Sequence, residues 1–311
     1  MKNKKTIKIL ATIFLAVSLT GCTKILKDNK KPVQNPETGQ NLVQNILCQP
    51  ENQTTIDIYK EHSIEIESLP KCSEFKITST GYEGLWTTIF VKPLAFIIIS
   101  LGKLVKNYGT SIILLTIAIR ALLFPVTKKT AMQSENMKKA KPKLDKLEAK
   151  YKGKTDQESM MQKSQEMMLI YKENNINPLS GCIFSLIQIP LFFAFYEALN
   201  RLPAIFEENF IGFQLGTSPL TALKAGHFLY IIFPILVAAA TFFSFKLNST
   251  ASMNKDQEQQ MKMMMNVSVV FISIASFTMS TGIELYWIFN SGFTIIQNLL
   301  VKRRIKNANI I

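Results

Sequence analysis

The chain has 311 residues, of which 47% are hydrophobic, and a formal net charge of +14. That pairing argues against an ordinary soluble enzyme and fits a membrane protein with basic cytosolic loops. Nucleic acid is the usual rival partner for so basic a chain, but the lysines flank apolar runs and form no single patch with a known binding motif, so no specific nucleic-acid sequence is expected as a ligand.

In chain order, Lys2, Lys4, Lys5 and Lys8 precede the apolar run Ile9 to Val17, followed by Leu19-Thr20-Gly21-Cys22. Charge, apolar length and small residues before a cysteine predict a signal peptide over 1–21, cleavage ahead of Cys22 and lipid attachment to its thiol. An uncleaved anchor is the alternative, weakened because the apolar run is shorter than the ~20 residues of a spanning helix. Lipidation implies a bacterium, with residue 22 onward outside the cytosol. Residues 22–81 read as an exported polar linker, with Lys30-Lys31-Pro32, Asn35-Pro36 and Thr38-Gly39 as linker chemistry. Thr54 to Tyr59 is the one strand-like run, and little fixed structure is expected. Cys48 and Cys72 share this segment, where export permits a disulfide and leaves free thiols equally open. Cys182 has no His or carboxylate co-ligand, so neither a metal nor a cofactor is expected. His62 and His227 have no partners at catalytic spacing.

Residues 82–311 form the membrane part. The apolar core Leu94 to Leu101, flanked by Lys92-Pro93, Lys103 and Lys106, is short for a span and predicts an amphipathic helix on the outer surface. Five spans follow, at Thr110–Thr127, Gly181–Leu199, His227–Leu247, Met263–Ser280 and Ile283–Val301, which makes the fold class an all-α membrane protein. Lysines crowd the first connection, from Lys128 and Lys129 to Lys163 and Lys172, whereas the second has Arg201 and Lys224 against Glu207 and Glu208. The first connection is therefore assigned to the cytosol and the basic C-terminus with it. Within it, 128–178 predicts a helical hairpin with its turn at Gly153-Lys154-Thr155-Asp156, and Pro142 is expected to kink or restart the first arm.

Arg120 lies inside the apolar run Ser111 to Val126. A charge near mid-bilayer costs roughly 2.5–3.5 kcal/mol on insertion scales, so such a residue usually faces a wet cavity or a partner. Snorkelling is the bland alternative, although Lys128 lies about 12 Å further along a helix. Thr116, Arg120 and Thr127 share one helical face, and Tyr286, Asn290, Thr294 and Gln297 share another. Asn266, Ser273, Ser276 and Ser280 also align, but small residues commonly serve close helix packing. Gln188 beside Pro190 suits an interhelical hydrogen bond, and Trp287 an apolar body in the bundle.

The runs Asn177-Pro178-Leu179-Ser180-Gly181-Cys182 and Leu186-Ile187-Gln188-Ile189-Pro190-Leu191-Phe192 carry a resemblance. So do Ile119-Arg120 with Pro125-Val126-Thr127-Lys128, the segment Gln165 to Lys172, Pro234-Ile235-Leu236, and Leu285-Tyr286-Trp287 with Asn290. Together they resemble the YidC family of membrane protein insertases, and the lipobox is similar to the lipoprotein form of single-membrane bacteria. The resemblance implies five transmembrane helices around a hydrophilic groove, open to cytosol and lipid, in which Arg120 takes the arginine position. It implies a groove-facing role for Gln188, and that substrates place short, often acidic, exported tails in the groove while their apolar helices slide along the lipid side; the polar faces carrying Thr116 and carrying Tyr286 and Asn290, with Trp287 beside them, independently suit its walls. No bond chemistry, and hence no enzyme, is implied. The implied partners are nascent membrane proteins and membrane lipid, with the Sec translocon and the ribosome as further ones.

Two positions depart from the family pattern. Phe245 stands before Lys246 where many relatives have Gln, and Glu284 sits where relatives are commonly apolar. Glu284 is expected to pair with a groove cation or to face the outer water. The short basic end Lys302 to Ile311 argues against docking a ribosome through a tail. Met253, Met261, Met263, Met264 and Met265 suit transient apolar contacts or ordinary packing. Two other functions compete: a solute or anion transporter using Arg120 as its site, which lacks the expected repeats, and a lipid-anchored assembly factor.

Overall fold

The computed structural model describes residues 23–177, 180–248 and 255–308, with the side chains of 180–187, 248, 255–258, 261, 306 and 308 outside the description. The expected signal peptide, the lipidated Cys22 and the side chains of Cys182, Met253 and Met261 thus lie outside the described residues. In chain order the elements are a small ribbon of β1 (Lys27–Asp28) and β2 (Lys31–Pro32), then α1 (Gln53–Glu61), α2 (Lys92–Val105), α3 (Tyr108–Lys150), α4 (Gln157–Glu173), α5 (Ser180–Asn200) and the short α6 (Pro203–Phe206). A second ribbon, β3 (Asn209–Phe210) and β4 (Phe213–Gln214), leads to α7 (Pro219–Lys224), α8 (Ile232–Asn248), α9 (Lys255–Ser276) and α10 (Thr281–Ala308). Two compact units divide the described residues, the first built from 23–116, 189–234 and 275–287 and the second from 117–188, 235–274 and 288–308.

In the first unit the segment 23–81 is folded, contrary to the expectation of a polar linker with little fixed structure. Leu26, Leu42, Val43, Ile46, Tyr59 and Ile66 bury one core, with Val33, Ile56, Ile58, Ile64 and Leu69 packed against it. Backbone bonds from Leu26 N to Leu42 O (2.8 Å) and from Leu42 N to Val33 O (2.9 Å) hold its strands, and Cys48 and Cys72 are joined by a disulfide. The segment also has an external support: Leu47 N–H donates to Arg201 O at 2.9 Å, and Glu51 N–H to Glu207 Oε2 at 2.8 Å. Its apolar residues are few and follow no period, which is why they pass for linker in one dimension.

The run read as a strand, Thr54 to Tyr59, is helical. Asn52 caps α1, its Oδ1 accepting from Thr55 N at 3.0 Å, and the i,i+4 pair Thr55 and Tyr59 turns inward, with Tyr59 Oη donating to Val43 O at 2.9 Å. A cap and one buried helical face outweigh the β-branched composition.

The helix expected on the outer surface is longer than its apolar core Leu94 to Leu101. Its helical path starts at Thr87, in a π-helical stretch Thr87–Val91 that runs directly into α2. The wider turn accommodates Pro93, which has no N–H to give. Lys92 is buried, its Nζ donating to Thr80 O at 2.8 Å and Gly81 O at 2.6 Å. It therefore does not mark an aqueous flank. The continuous run Thr87–Val105 has 19 residues and mean hydropathy 1.9, long and apolar enough to cross a membrane. Tyr108–Lys150 and Phe228–Leu247 also meet that standard, whereas the apolar part of α9, Lys262–Ser276, is shorter. Two of the five expected spans are thus matched by length and composition among the described residues.

In the second unit α3 continues without a break past Pro125 and Pro142 to Lys150, so Pro142 does not restart the arm. At 1.5 Å per residue its 43 residues extend about 65 Å, twice a bilayer core of about 30 Å. Its C-terminal half pairs with α4 as a hairpin. Met137, Ala140 and Leu144 pack on Tyr171 and Ile176, and Lys150–Glu166 (2.6 Å), Lys163–Glu148 (2.8 Å) and Lys143–Glu173 (3.0 Å) tie the rims. Gly153 turns the chain at φ 80°, and Asp156 caps α4 by accepting from Ser159 N.

Candidate functional site

Within the second unit three helices bring polar side chains to Arg120. The arginine is 4% exposed. Its Nε donates to Asn290 Oδ1 on α10 at 2.6 Å, and its Nη2 donates to Gln188 Oε1 on α5. Both acceptors are neutral amides, so these two bonds orient the guanidinium fork without cancelling its charge. A hydrogen bond involving a charged group is worth roughly 1.5–3 kcal/mol, comparable to the cost of placing one arginine in an apolar span.

The cluster continues along the same two helices. Thr127, buried on α3, donates Oγ1–H to Gln297 Oε1 on α10 at 2.8 Å. On α10, Thr294 Oγ1 donates to Asn290 O at 3.1 Å and Asn298 Nδ2 to Thr294 O at 2.8 Å. Asn290, Ser291, Thr294, Gln297 and Asn298 are all buried, so the polar face of α10 is wider than the i,i+4 stripe alone indicated. Ser291 and Asn298 were missed because they lie off that stripe.

The remaining candidates belong to the first unit. Thr116 is buried and donates its hydroxyl to Ile112 O, one turn back on its own helix, at 2.7 Å. Tyr286 is buried and stacks on Phe195 at 4.2 Å, while Trp287 meets the edge of Phe192 at 5.1 Å. These two are members of an aromatic cluster. Glu284 neither faces water nor meets a cation: it is buried, and neither carboxylate oxygen has a hydrogen-bond partner among the described residues. Phe245 is half-buried, and Lys246 Nζ lies 5.6 Å from the Phe242 ring instead. Of the fourth-span stripe only Ser276 is buried, and Asn266 is exposed. Met263 and Met264 are exposed.

Another polar group in the first unit escaped the sequence reading. Arg201, taken there as a loop charge, is 0% exposed. It donates Nε–H to Asn45 O at 2.6 Å and Nη2–H to Glu83 Oε2, with Lys92 on the far side of Glu83 at 3.9 Å. Glu197 accepts Trp86 Nε1–H at 2.9 Å. Ionisable residues such as Lys92 and Glu197 inside apolar stretches were the available signal. Among the described residues no group of three or more His, Cys, Asp or Glu is placed to hold a metal.

Apolar helices long enough to cross a bilayer, with an arginine held by amides from two other helices, define a helical membrane protein that keeps a cation inside its helical packing. The family described as 60Kd inner membrane protein matches residues 100–308. Membrane protein insertase YidC of Oceanobacillus iheyensis is 33% identical over 241 residues, covering 76% of this chain and 91% of that protein. Membrane protein insertase MisCA of Bacillus subtilis is 36% identical over 236 residues, covering 75% and 86%. Among solved structures, an active YidC insertase with its first transmembrane domain resolved aligns with TM-score 0.48 and 22% identity, over 79% of this chain and 52% of that one. This chain belongs to the 60Kd inner membrane protein family, the family of the YidC insertases.

Proposed function

We propose that this protein is a membrane protein insertase and chaperone, which moves apolar helices of nascent proteins into the bilayer and carries short exported tails across. The observation that carries the reading is Arg120, a cation buried among apolar helices and oriented by Asn290 and Gln188. An acidic tail entering beside it gains Coulomb attraction that strengthens as water is excluded. Thr116, Tyr286 and Trp287 are assigned to the same substrate path, which runs as a hydrophilic groove among five spans. The named insertases among the relatives support this reading. No bond is made or broken, so the work is a lowered partition barrier.

In the same reading Cys22 carries the lipid and residues 1–21 are removed, the residues from 22 to 81 lie outside, and the lysine-rich hairpin 128–178 lies in the cytosol. The Sec translocon and the ribosome act as partners to some substrates. Purified protein in liposomes, given a small single-span substrate with an acidic tail, is expected to protect that substrate from added protease. Protection equal to that of empty liposomes would overturn the proposal and favour an assembly factor, and substrate-independent anion flux would favour a transporter.

A further inference from the structure

The first unit encloses a cavity of about 640 Å3 between the segment 23–81, the last turns of α5, α7 and the start of α10. Two residues of its wall, Glu197 and Gln40, are 5% and 7% exposed, and each carries an enclosed oxygen, Oε2 and Oε1, with no hydrogen-bond partner among the described residues. Trp86 Nε1–H serves the other Glu197 oxygen. Neighbouring amides on the wall are engaged elsewhere: Gln34 Nε2 donates to Asn41 Oδ1 at 3.0 Å, and Asn200 Nδ2 to Tyr196 O at 2.9 Å.

Glu197 does not lack a counter-charge. Arg201 acts on it through its charge while directing Nε and Nη2 to Asn45 and Glu83, and its Nη1 is enclosed without a hydrogen-bond partner. A second cation brought to Glu197 would be repelled by Arg201. What the two oxygens lack is a neutral donor, and a hydroxyl supplies one. The rest of the lining divides in two. Lys224, the last residue of α7, is exposed, and a lysine ammonium is a ready partner for phosphate. Phe193 and Leu220 are 48% and 39% exposed, and Met279 and Ile283 continue that apolar side.

We infer that the cavity seats the headgroup of one phospholipid of the phosphatidylglycerol class. Its glycerol hydroxyls donate to Glu197 Oε2 and Gln40 Oε1, its phosphate faces Lys224, and its acyl chains leave along Phe193 and Leu220. The inference rests on the topology proposed above, which puts these ends of α5 and α10 at the outer face of the bilayer, where such a lipid can enter sideways. A lipid held there ties the segment 23–81 to the helix ends beneath it.

The test titrates the purified full-length protein, stripped of lipid in detergent, with phosphatidylglycerol or with phosphatidylcholine of the same acyl chains, which has no headgroup hydroxyl. Phosphatidylglycerol should raise Tm by about 3–6 °C and phosphatidylcholine by less than about 1 °C. Native mass spectrometry should show one phosphatidylglycerol retained, and Glu197→Gln and Lys224→Ala should each weaken that retention about tenfold. Should Glu197→Gln fail to accumulate, Lys224→Ala, at an exposed position, carries the comparison. Equal shifts with both lipids would mean apolar contact alone, no shift with either would mean that water fills the cavity, and undiminished retention by Lys224→Ala would remove the phosphate contact; each overturns the inference. Soluble glycerophosphoglycerol reproducing the whole shift would also overturn it, by making the ligand a free phosphodiester. Binding in detergent does not depend on orientation, so selective binding together with labelling of Asn209→Cys from the cytosolic side would refute the topology and leave the site standing.

Discussion

Arg120 donates Nε–H to Asn290 Oδ1 at 2.6 Å, across a sequence separation of 170 residues. The amide that orients the buried cation therefore comes from the last helix of the chain, and the site exists only when α3 and α10 have packed.

Charge and orientation at this site can be separated by substitution. Arg120→Lys should retain most insertion of a substrate with an acidic tail, and Arg120→Ala should lose about tenfold or more. Asn290→Leu should fall between them, because it keeps the charge and removes one charge-assisted bond, roughly 1.5–3 kcal/mol. The readout is protease protection in liposomes at matched protein levels. Equal activity of all four proteins would remove Arg120 from the mechanism.

Topology is open to labelling at two exposed positions, Lys154 in the hairpin turn and Asn209 in β3. With the native cysteines replaced, Lys154→Cys should react with an impermeant maleimide only from the cytosolic side, and Asn209→Cys only from outside. The opposite pattern would invert the lysine-based assignment.

Glu207 predicts a pH dependence in the first unit. Burial pushes its carboxyl above the ordinary range, against the lowering effect of the Glu51 and Asn52 N–H groups. For an acid whose folded pKa is raised, the stabilising contribution is fully present below the unfolded pKa, near 4.5, and is lost as pH rises through the folded value. Tm in detergent should therefore fall between pH 4.5 and neutrality by an amount that Glu207→Gln reduces. Superimposable pH profiles for the two proteins would refute this.

The hairpin should behave as a locally stabilised unit. Leu144 is buried against α4, and Leu144→Ala should cost about 2–4 kcal/mol of local stability. Hydrogen exchange should then quicken across Gln157–Glu173 while amides around Tyr59 keep their protection. Unchanged exchange in α4 would show that its packing on α3 is marginal.

Residues whose meaning is local could be read directly from the sequence. Arg120 stands out because a permanent cation among apolar neighbours is costly wherever the rest of the chain goes, and Gly153 because a hairpin turn needs a positive φ. The polar face of α10 follows from 3.6-residue periodicity, although its width does not. Tertiary structure alone decided which groups meet. Gln188 reaches Arg120 across 68 residues and Asn290 across 170, Lys92 and Arg201 share Glu83 instead of facing water, and the aperiodic segment 23–81 folds by leaning on Arg201 and Glu207. Periodicity and charge report the faces of one element, whereas these pairings depend on packing between elements distant in sequence. No local pattern encodes that packing.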